Sequence, residues 1–567
     1  MINLLILIVT FFFVSISLIG YGTIFLKIFS KDSQISNFGY LGIFGLVFSI
    51  FISYFTNFFL PHDYIFNSIY LIVGLIGFTM LIKQFSKDLI KKEFITFLVI
   101  FSIALISLLI FKNHDDFPYY HFVYTYNLTQ FDLNIGIGQF NHGFRTPSSI
   151  FYINSLFFLP LIKYFSFNFT AVIVLIFANI ILLKKIGITF SSKILSFKKE
   201  LNQPYVIILF SLLSFMFINI FFYRIGEHGT DRSAQILVMI LIIEIIDALQ
   251  KKNYNNILNL KIFTLVIFII SLKAFYILYL LLLLPLYYSY YQSFKSHGLI
   301  IKNLFSGYLF FYFCIFLLIL SSYFFNTGCL LYPVEITCFD NLSWSIPIKQ
   351  VEQMNQWYQQ WSKAGAAPGF RVENPEVYIN HFNWVANWID KYFFNKVSDF
   401  LLGIIFLSFV IFISFQMNSK NKGRSKINKK YLSLYIIIFI LFFEWFYNHP
   451  ALRYGGYNLI AIIFFLPISV YLSDKKINVK NLKLLITLFV ILTFIIFSGR
   501  NINRIYNENT LYEYNPLKQP FYKVDTVYFN EYKNLKKLIS NFYNCKQNNN
   551  CSENNLKMKY GFFIFKN

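Results

Sequence analysis

Long apolar stretches, each closed by a short polar one, recur along nearly the whole chain. They lie near residues 2–26, 37–60, 64–82, 94–111, 166–183, 203–222, 232–250, 259–272, 274–291, 303–322, 398–416, 431–447, 456–473 and 484–498. An α-helix needs about 20 mostly apolar residues to cross about 30 Å of hydrocarbon. In lipid every backbone N–H and C=O must be satisfied within the spanning structure, which a helix does by itself. The pattern therefore predicts an all-α polytopic membrane protein with about fourteen transmembrane helices, within a range of 11–14. The N-terminal run "MINLLILIVTFFFVSISLIGYGTIF" lacks a basic leader region and a small-residue cleavage site, so it reads as a retained helix.

The polar segments between these runs sort by charge. "KQFSKDLIKKE" (83–93), "KKIGITFSSKILSFKKE" (184–200), "KKNYNN" (251–256), "KNKGRSKINKK" (420–430) and "DKKINVKNLK" (474–483) fall on one side. The positive-inside rule makes that side cytoplasmic. The opposite, extracytoplasmic side then receives loops 112–165, 223–231, 323–397 and 448–455, with the tail from 499. Segment 148–163 is apolar, but counting it as a span would place the basic 184–200 loop outside, so it is expected as a helix lying at or dipping into the outer surface. Lys273 divides 259–291 into two short helices whose turn reaches outward. The resulting organisation is N-terminal helices (1–93), a helical core (94–322) whose first outer loop is 112–165, an outer loop (323–397), C-terminal helices (398–500) and an outer tail (501–567).

Composition changes this picture little. The chain is 57% hydrophobic, 21% aromatic and 13% charged, against about a quarter charged in soluble domains. Its net charge of +23 sits in the short inner loops, which speaks for topology and against nucleic-acid binding. The heavy use of Phe, Ile, Asn and Lys is that of an AT-rich bacterial genome.

Ionisable residues at a membrane are costly, and here four groups gather on the outer face. "NHDDFPYY" supplies His114, Asp115 and Asp116, and "FNHGFRTPSS" supplies His142 and Arg145. "YRIGEHGTDRS" brings Arg224, Glu227, His228, Asp231 and Arg232. Lys273 follows, and "NHPALRYGGYN" adds His449, Arg453 and Tyr454. Singly, each has a plain reading: an acidic pair marking where a helix meets water, arginines snorkelling to headgroups, a lysine anchoring topology. Together they suit group transfer from a phosphate-linked donor to a hydroxyl. A carboxylate, Asp115 or Asp116, serves as general base on the acceptor, while guanidinium and ammonium groups bind the phosphate. The paired carboxylates also suit Mg²⁺ or Mn²⁺, which take oxygen ligands.

Loop 323–397 holds five of the six tryptophans: Trp344, Trp357, Trp361, Trp384 and Trp388. Such rings stack on sugars in an acceptor or pack at a membrane interface. Cys329, Cys338, Cys545 and Cys551 fall in outer segments, where "CLLYPVEITC" and "CKQNNNC" are each candidates for a local disulfide, while Cys314 lies within a span. No Cys/His spacing matches a zinc site.

"HDDFPYYHF", "NHGFRTPSSIFYINSLFFLPL" and "EHGTDRS" give residues 94–500 a resemblance to the GT-C superfamily of integral-membrane glycosyltransferases. Those enzymes have a first large outer loop that begins with an acidic pair directly after a span. The chain also resembles a group of bacterial polytopic proteins associated with surface-polysaccharide genes, through its "GCLLYP", "TC" and "LSW" outer loop. Three spans precede the one before the acidic loop, where the usual pattern has none. The resemblance implies a polyprenyl-phosphate-linked sugar donor, a glycan or lipid acceptor, inversion at the sugar and Asp115 or Asp116 as base. It also implies an active site on the outer face of the bacterial cytoplasmic membrane. The competing expectations are an O-antigen polymerase or ligase and a polysaccharide or lipid transporter; the latter favours charged sites near the bilayer midplane in inverted repeats, and no repeat is visible.

Overall fold

The computed structural model describes residues 1–30, 35–190, 196–197, 203–227, 229–251, 256–294, 307–366, 371–420, 429–477, 479–524, 537, 540, 556–559 and 562–565. The helices that build the bundle are α1 (Ile2–Phe29), α2 (Phe38–Asn57), α3 (Tyr64–Gln84), α4 (Lys87–Leu108), α5 (Phe122–Gln130), α6 (Ser149–Ser155), α7 (Phe169–Ile186), α8 (Tyr205–Phe221), α9 (Thr230–Lys251), α10 (Asn256–Leu272), α11 (Leu284–Phe294), α12 (Gly307–Thr327), α13 (Ile348–Lys363), α14 (Ser398–Met417), α15 (Leu432–Asn448), α16 (Gly456–Ser473) and α17 (Val479–Tyr512). Strands among the described residues form only short two-stranded pairs.

The protein is an all-α polytopic membrane protein. The described residues of all fourteen predicted stretches contain helix, but only ten helices among the described residues are long and apolar enough to cross a membrane. Helices α8, α10 and α15 are apolar yet have 17 residues each, about 25 Å of rise. Helix α4 opens with Lys87, Asp88, Lys91, Lys92 and Glu93, which takes its first two turns out of any apolar span.

Burial separates a centre from a rim. The apolar window of the span that contains α7 is 100% buried and that of α9 is 94% buried, whereas α3 is 28% buried. A helix apolar on every side is buried in a core or faces lipid; α7 takes the first place and α3 the second, while α9 is buried with its charges paired near its two ends. Contact between α1 and its neighbours is close enough to require glycine. A Cβ on Gly20 would lie 1.8 Å from the Gly74 carbonyl oxygen of α3, and one on Gly45 of α2 would lie 1.8 Å from that of Leu18. Small residues let helix backbones approach in this way where lipid removes the hydrophobic drive to associate.

The described ends of the basic loops gather at one end of the bundle. Lys184 pairs with Glu93 at 2.5 Å, Ser419 pairs with Ile477 in a two-residue ladder, and the Lys430 ammonium donates to the Gln250 carbonyl at 2.7 Å. The opposite end joins the remaining loops. There the His114 N–H donates to the Glu227 carbonyl at 3.3 Å, and the Trp388 indole donates to the Pro450 carbonyl at 3.1 Å.

Three elements refine or differ from expectation. Segment 148–163 dips inward and does not lie along the surface: its helix, α6, has seven residues, all buried, with the Tyr152 ring stacked 3.7 Å from that of Tyr54, and its exposed residues, Pro160, Leu161 and Lys163, lie at the far end. Helix α17 continues 14 residues past the predicted end at 498, to Tyr512. The stretch after Lys273 starts as a ten-residue 3₁₀ helix (Ala274–Leu283) before becoming α11. Its buried residues, Tyr276, Tyr279 and Leu282, recur every third position, the period at which 3₁₀ side chains eclipse.

Candidate functional site

Four ionisable side chains from four separated elements meet at the loop-rich end opposite the basic loops. Asp231 lies in the first turn of α9, where the helix dipole favours a carboxylate. Lys273 occupies the extended break between α10 and the 3₁₀ segment. Arg453 is in a 3₁₀ turn, Leu452–Tyr454, followed by Gly455 at φ +103°; a side chain there would strain the backbone and approach the Tyr279 hydroxyl at 2.8 Å. Asp116 immediately precedes a five-residue π-helical turn, Phe117–His121. Such turns are rare and concentrate at functional sites.

Arg453 links the set. Its Nη2 donates to Asp116 Oδ2 at 2.7 Å and its Nε to Asp231 Oδ2 at 2.8 Å. The Lys273 ammonium pairs with the other Asp231 oxygen. Two cations thus face two anions, so the quartet is neutral, and the Asp116 side chain keeps 29% of its surface exposed. Burial alone would raise the Asp116 carboxyl, but the Arg453 guanidinium overrides it and holds the carboxyl at about 2. Asp116 is therefore ionised at neutral pH. Burial pushes the His114 imidazole below its ordinary range and outweighs the pull of the Asp116 charge. His114 Nδ1 accepts the Asp116 backbone N–H at 3.2 Å, so its 3.5 Å approach to the Asp116 carboxylate is not an ion pair.

The surrounding residues fix Arg453. Gln235, one turn beyond Asp231 on α9, donates to the Arg453 carbonyl at 2.9 Å and accepts the Asn458 N–H at 3.2 Å. The guanidinium lies 5.7 Å from the Trp361 ring centroid and 5.6 Å from that of Tyr454, and the Lys273 ammonium lies 4.8 Å from the latter. His449 approaches the Tyr454 ring at 6.0 Å, and burial, with Lys363 and Lys273 nearby, lowers its imidazole to about 4.

Other candidates fall elsewhere. Asp115 is 88% exposed and faces Lys112 at 3.6 Å. It does not converge with Asp116, so the pair forms no oxygen cradle for Mg²⁺ or Mn²⁺. Among the described residues no group of three or more His, Cys, Asp or Glu is placed to hold a metal. Glu227 is taken by Arg224 through two contacts of 2.7 and 2.8 Å. The Arg232 guanidinium packs 5.7 Å from the Phe222 ring, with its Nη1 buried and unbonded among the described residues. His142 bonds to the Tyr119 hydroxyl at 2.6 Å, and Arg145 donates to the Gly138 carbonyl at 2.9 Å and the Tyr332 hydroxyl at 3.3 Å. His228 lies outside the described residues, as do Cys545 and Cys551. Cys329 and Cys338 form a disulfide, and Cys314 is free.

Sequence reading missed Gln235, whose signal was its i+4 spacing from Asp231. It also missed Arg504 and Glu508, i and i+4 on the extended end of α17. Arg504 donates to the carbonyls of Ile106 at 3.2 Å and Leu109 at 2.9 Å, while Glu508 accepts the Phe111 N–H at 3.0 Å. This clamp fixes the end of α4 from which the chain runs on to Asp116.

A family model described as a domain of unknown function, DUF8201, matches residues 4–460 of the 567. The chain belongs to the DUF8201 family. The match contains Asp116, Asp231, Lys273 and Arg453 and ends within α16, so the quartet lies inside the family region while the Arg504 clamp lies outside it. No curated protein and no solved structure matches the chain.

Proposed function

We propose that this DUF8201 protein is an inverting glycosyltransferase of the bacterial cytoplasmic membrane. It would move a sugar from a polyprenyl-phosphate-linked donor to a hydroxyl of a glycan or lipid acceptor on the outer face. The observation that carries the reading is the quartet itself: an ionised, partly open carboxylate in direct contact with a guanidinium that shares a second carboxylate with an ammonium. Asp116 takes the proton of the acceptor hydroxyl. The acceptor oxygen bonds to the anomeric carbon as that carbon's bond to the phosphate oxygen breaks. The electron pair leaves on the polyprenyl phosphate, whose added charge Arg453 and Lys273 neutralise.

A carboxylate held at about 2 is a weak base. The donor phosphate competes for Arg453, and as the guanidinium turns to it the cause of the low value is removed. The carboxyl then rises towards its ordinary range, so donor binding makes the base competent. The basic loops at the opposite end, read as cytoplasmic by the positive-inside rule, support an outer-face position for the quartet. A transporter is the second reading, but the sealed cluster of Lys185, Glu244 and Asp247 lies towards the other end of α9 and not at its middle, where a transport site is expected.

The test is transfer of radiolabelled sugar from a polyprenyl-phosphate-sugar pool in membranes that carry the protein. Asp116→Asn is compared with Asp115→Asn at equal protein level. Loss confined to the Asp116 variant supports the reading; full transfer by Asp116→Asn sinks it. Labelled glycolipid that crosses the membrane without being chemically changed favours the transporter.

A further inference from the structure

The disulfide closes a hairpin, Cys329–Cys338, directly after α12, and its two faces differ. Inward, Tyr332 is buried and its hydroxyl accepts from Arg145 of the first outer loop. Outward, Leu330, Val334 and Ile336 are exposed, Ile336 at 93%, and Phe339 follows just beyond the disulfide. An apolar cluster of this kind on a water-facing loop marks a contact surface.

What it contacts follows from continuity with the lipid-facing side of the bundle. Helix α12 exposes Phe310, Phe313 and Leu317 at helical spacing, and the same stripe leads to Phe324. The Phe324 ring meets Phe339 edge-on at 5.7 Å. On the neighbouring helix, Phe55 and Phe59 of the α2 end are also exposed, and Phe58 meets Phe325 at 5.8 Å. With 21 residues α12 rises about 31 Å, enough to cross the hydrocarbon unaided. The hairpin therefore emerges at the level of the lipid headgroups with its apolar side turned the way the lipid-facing stripe turns.

We propose that the Cys329–Cys338 hairpin inserts Leu330, Val334, Ile336 and Phe339 into the headgroup region of the outer leaflet, with membrane lipid as its partner. The exposed Glu335 and Asp340 limit its depth, because their carboxylates must stay in water. Insertion is driven by apolar burial and needs no anionic lipid. Through Tyr332 and Arg145 the hairpin ties the first outer loop to the membrane surface. This goes beyond the proposed chemistry and does not depend on it.

The test places an environment-sensitive fluorescent amino acid at Ile336, and as a control at Glu352 on the exposed polar face of α13, in the full-length protein in phosphatidylcholine nanodiscs. At 336 a blue-shifted emission is expected, with loss of intensity when the lipid carries a doxyl group near its headgroup. At 352 emission stays that of water and is not quenched. Equal, water-like behaviour at both positions overturns the proposal. So does a photo-crosslink from 336 to a second copy of the chain in place of lipid, and so does a signal that appears only when phosphatidylglycerol is added. A fluorophore at Phe339 repeats the measurement should the 336 variant fail to assemble.

Discussion

Helix α9 carries a charge cluster near each end, and the two differ chiefly in their access to water. At the end opposite the basic loops Asp231 meets Lys273 and Arg453, and through Arg453 Asp116; the Lys273, Arg453 and Asp116 side chains are 22 to 29% exposed. At the other end Lys185 meets Glu244 at 2.6 Å and Asp247 at 3.0 Å, all three at 9% exposure or less. Tyr40 adds a hydrogen bond to Glu244, and the Lys261 ammonium stands 4.1 Å from the Tyr40 ring. A sealed ion group has lost its water and cannot exchange partners cheaply, so it holds helices together. An open one can trade a partner for a substrate. The same residue types therefore make a clamp at one end of α9 and a candidate reaction centre at the other.

The largest effect expected is on chemistry at the open end. Asp116→Asn should lower sugar transfer by ~10²–10⁴-fold, the range for loss of a general base. At the sealed end, Lys185→Met should remove the cation that Glu244 and Asp247 share and cost about 3–5 kcal/mol, read as a lower thermal midpoint in detergent. Replacing Lys185, Glu244 and Asp247 together by apolar residues should recover most of that loss; no recovery would mean that the cluster does more than clamp. Arg504→Met should cost about 2–3 kcal/mol by leaving the partly buried carbonyls of Ile106 and Leu109 without their side-chain donor and Glu508 without its cation.

Acid sharpens the comparison further. The Asp116 carboxyl is lowered in the folded protein, so its contribution is complete above the unfolded value of about 4 and fades as pH falls towards about 2. The stability gap between wild type and Asp116→Asn should be about 2 kcal/mol at pH 7 and close to zero near pH 2. The smallest effect belongs to Asp115→Asn: its carboxylate faces water and Lys112, so stability should move by less than ~0.5 kcal/mol. A loss of transfer in that variant as large as in Asp116→Asn would erase the distinction between the two aspartates.

Much of the scaffold was legible because the length of an apolar run is a direct physical constraint. The helix stretches, the break at Lys273 and the Cys329–Cys338 pairing could all be read from the chain. The site was legible only in part. Asp116, Asp231, Lys273 and Arg453 stood out as charges beside hydrocarbon, but Asp116 and Arg453 are 337 positions apart, and no local pattern encodes their contact. Glu227 and Arg224 carried the same signal and turned out to satisfy each other. The charge rule kept α6 out of the span count and at or dipping into the outer surface, and it carried no signal that other helices would cover it. Arg504 and Glu508 were hidden by polarity: the end of α17 reads as a tail until its i, i+4 pair is seen to close on α4.

The 3₁₀ segment after Lys273 has a consequence in simple lengths. Ten residues at about 2.0 Å each followed by eleven α-helical residues at about 1.5 Å reach about 36 Å. Wound as α-helix throughout, the same stretch would fall about 5 Å short. As plain α-helix the stretch would just match about 30 Å of hydrocarbon; overstretching it beyond Lys273 adds the length that lifts the ammonium towards the water's edge, where it meets Asp231.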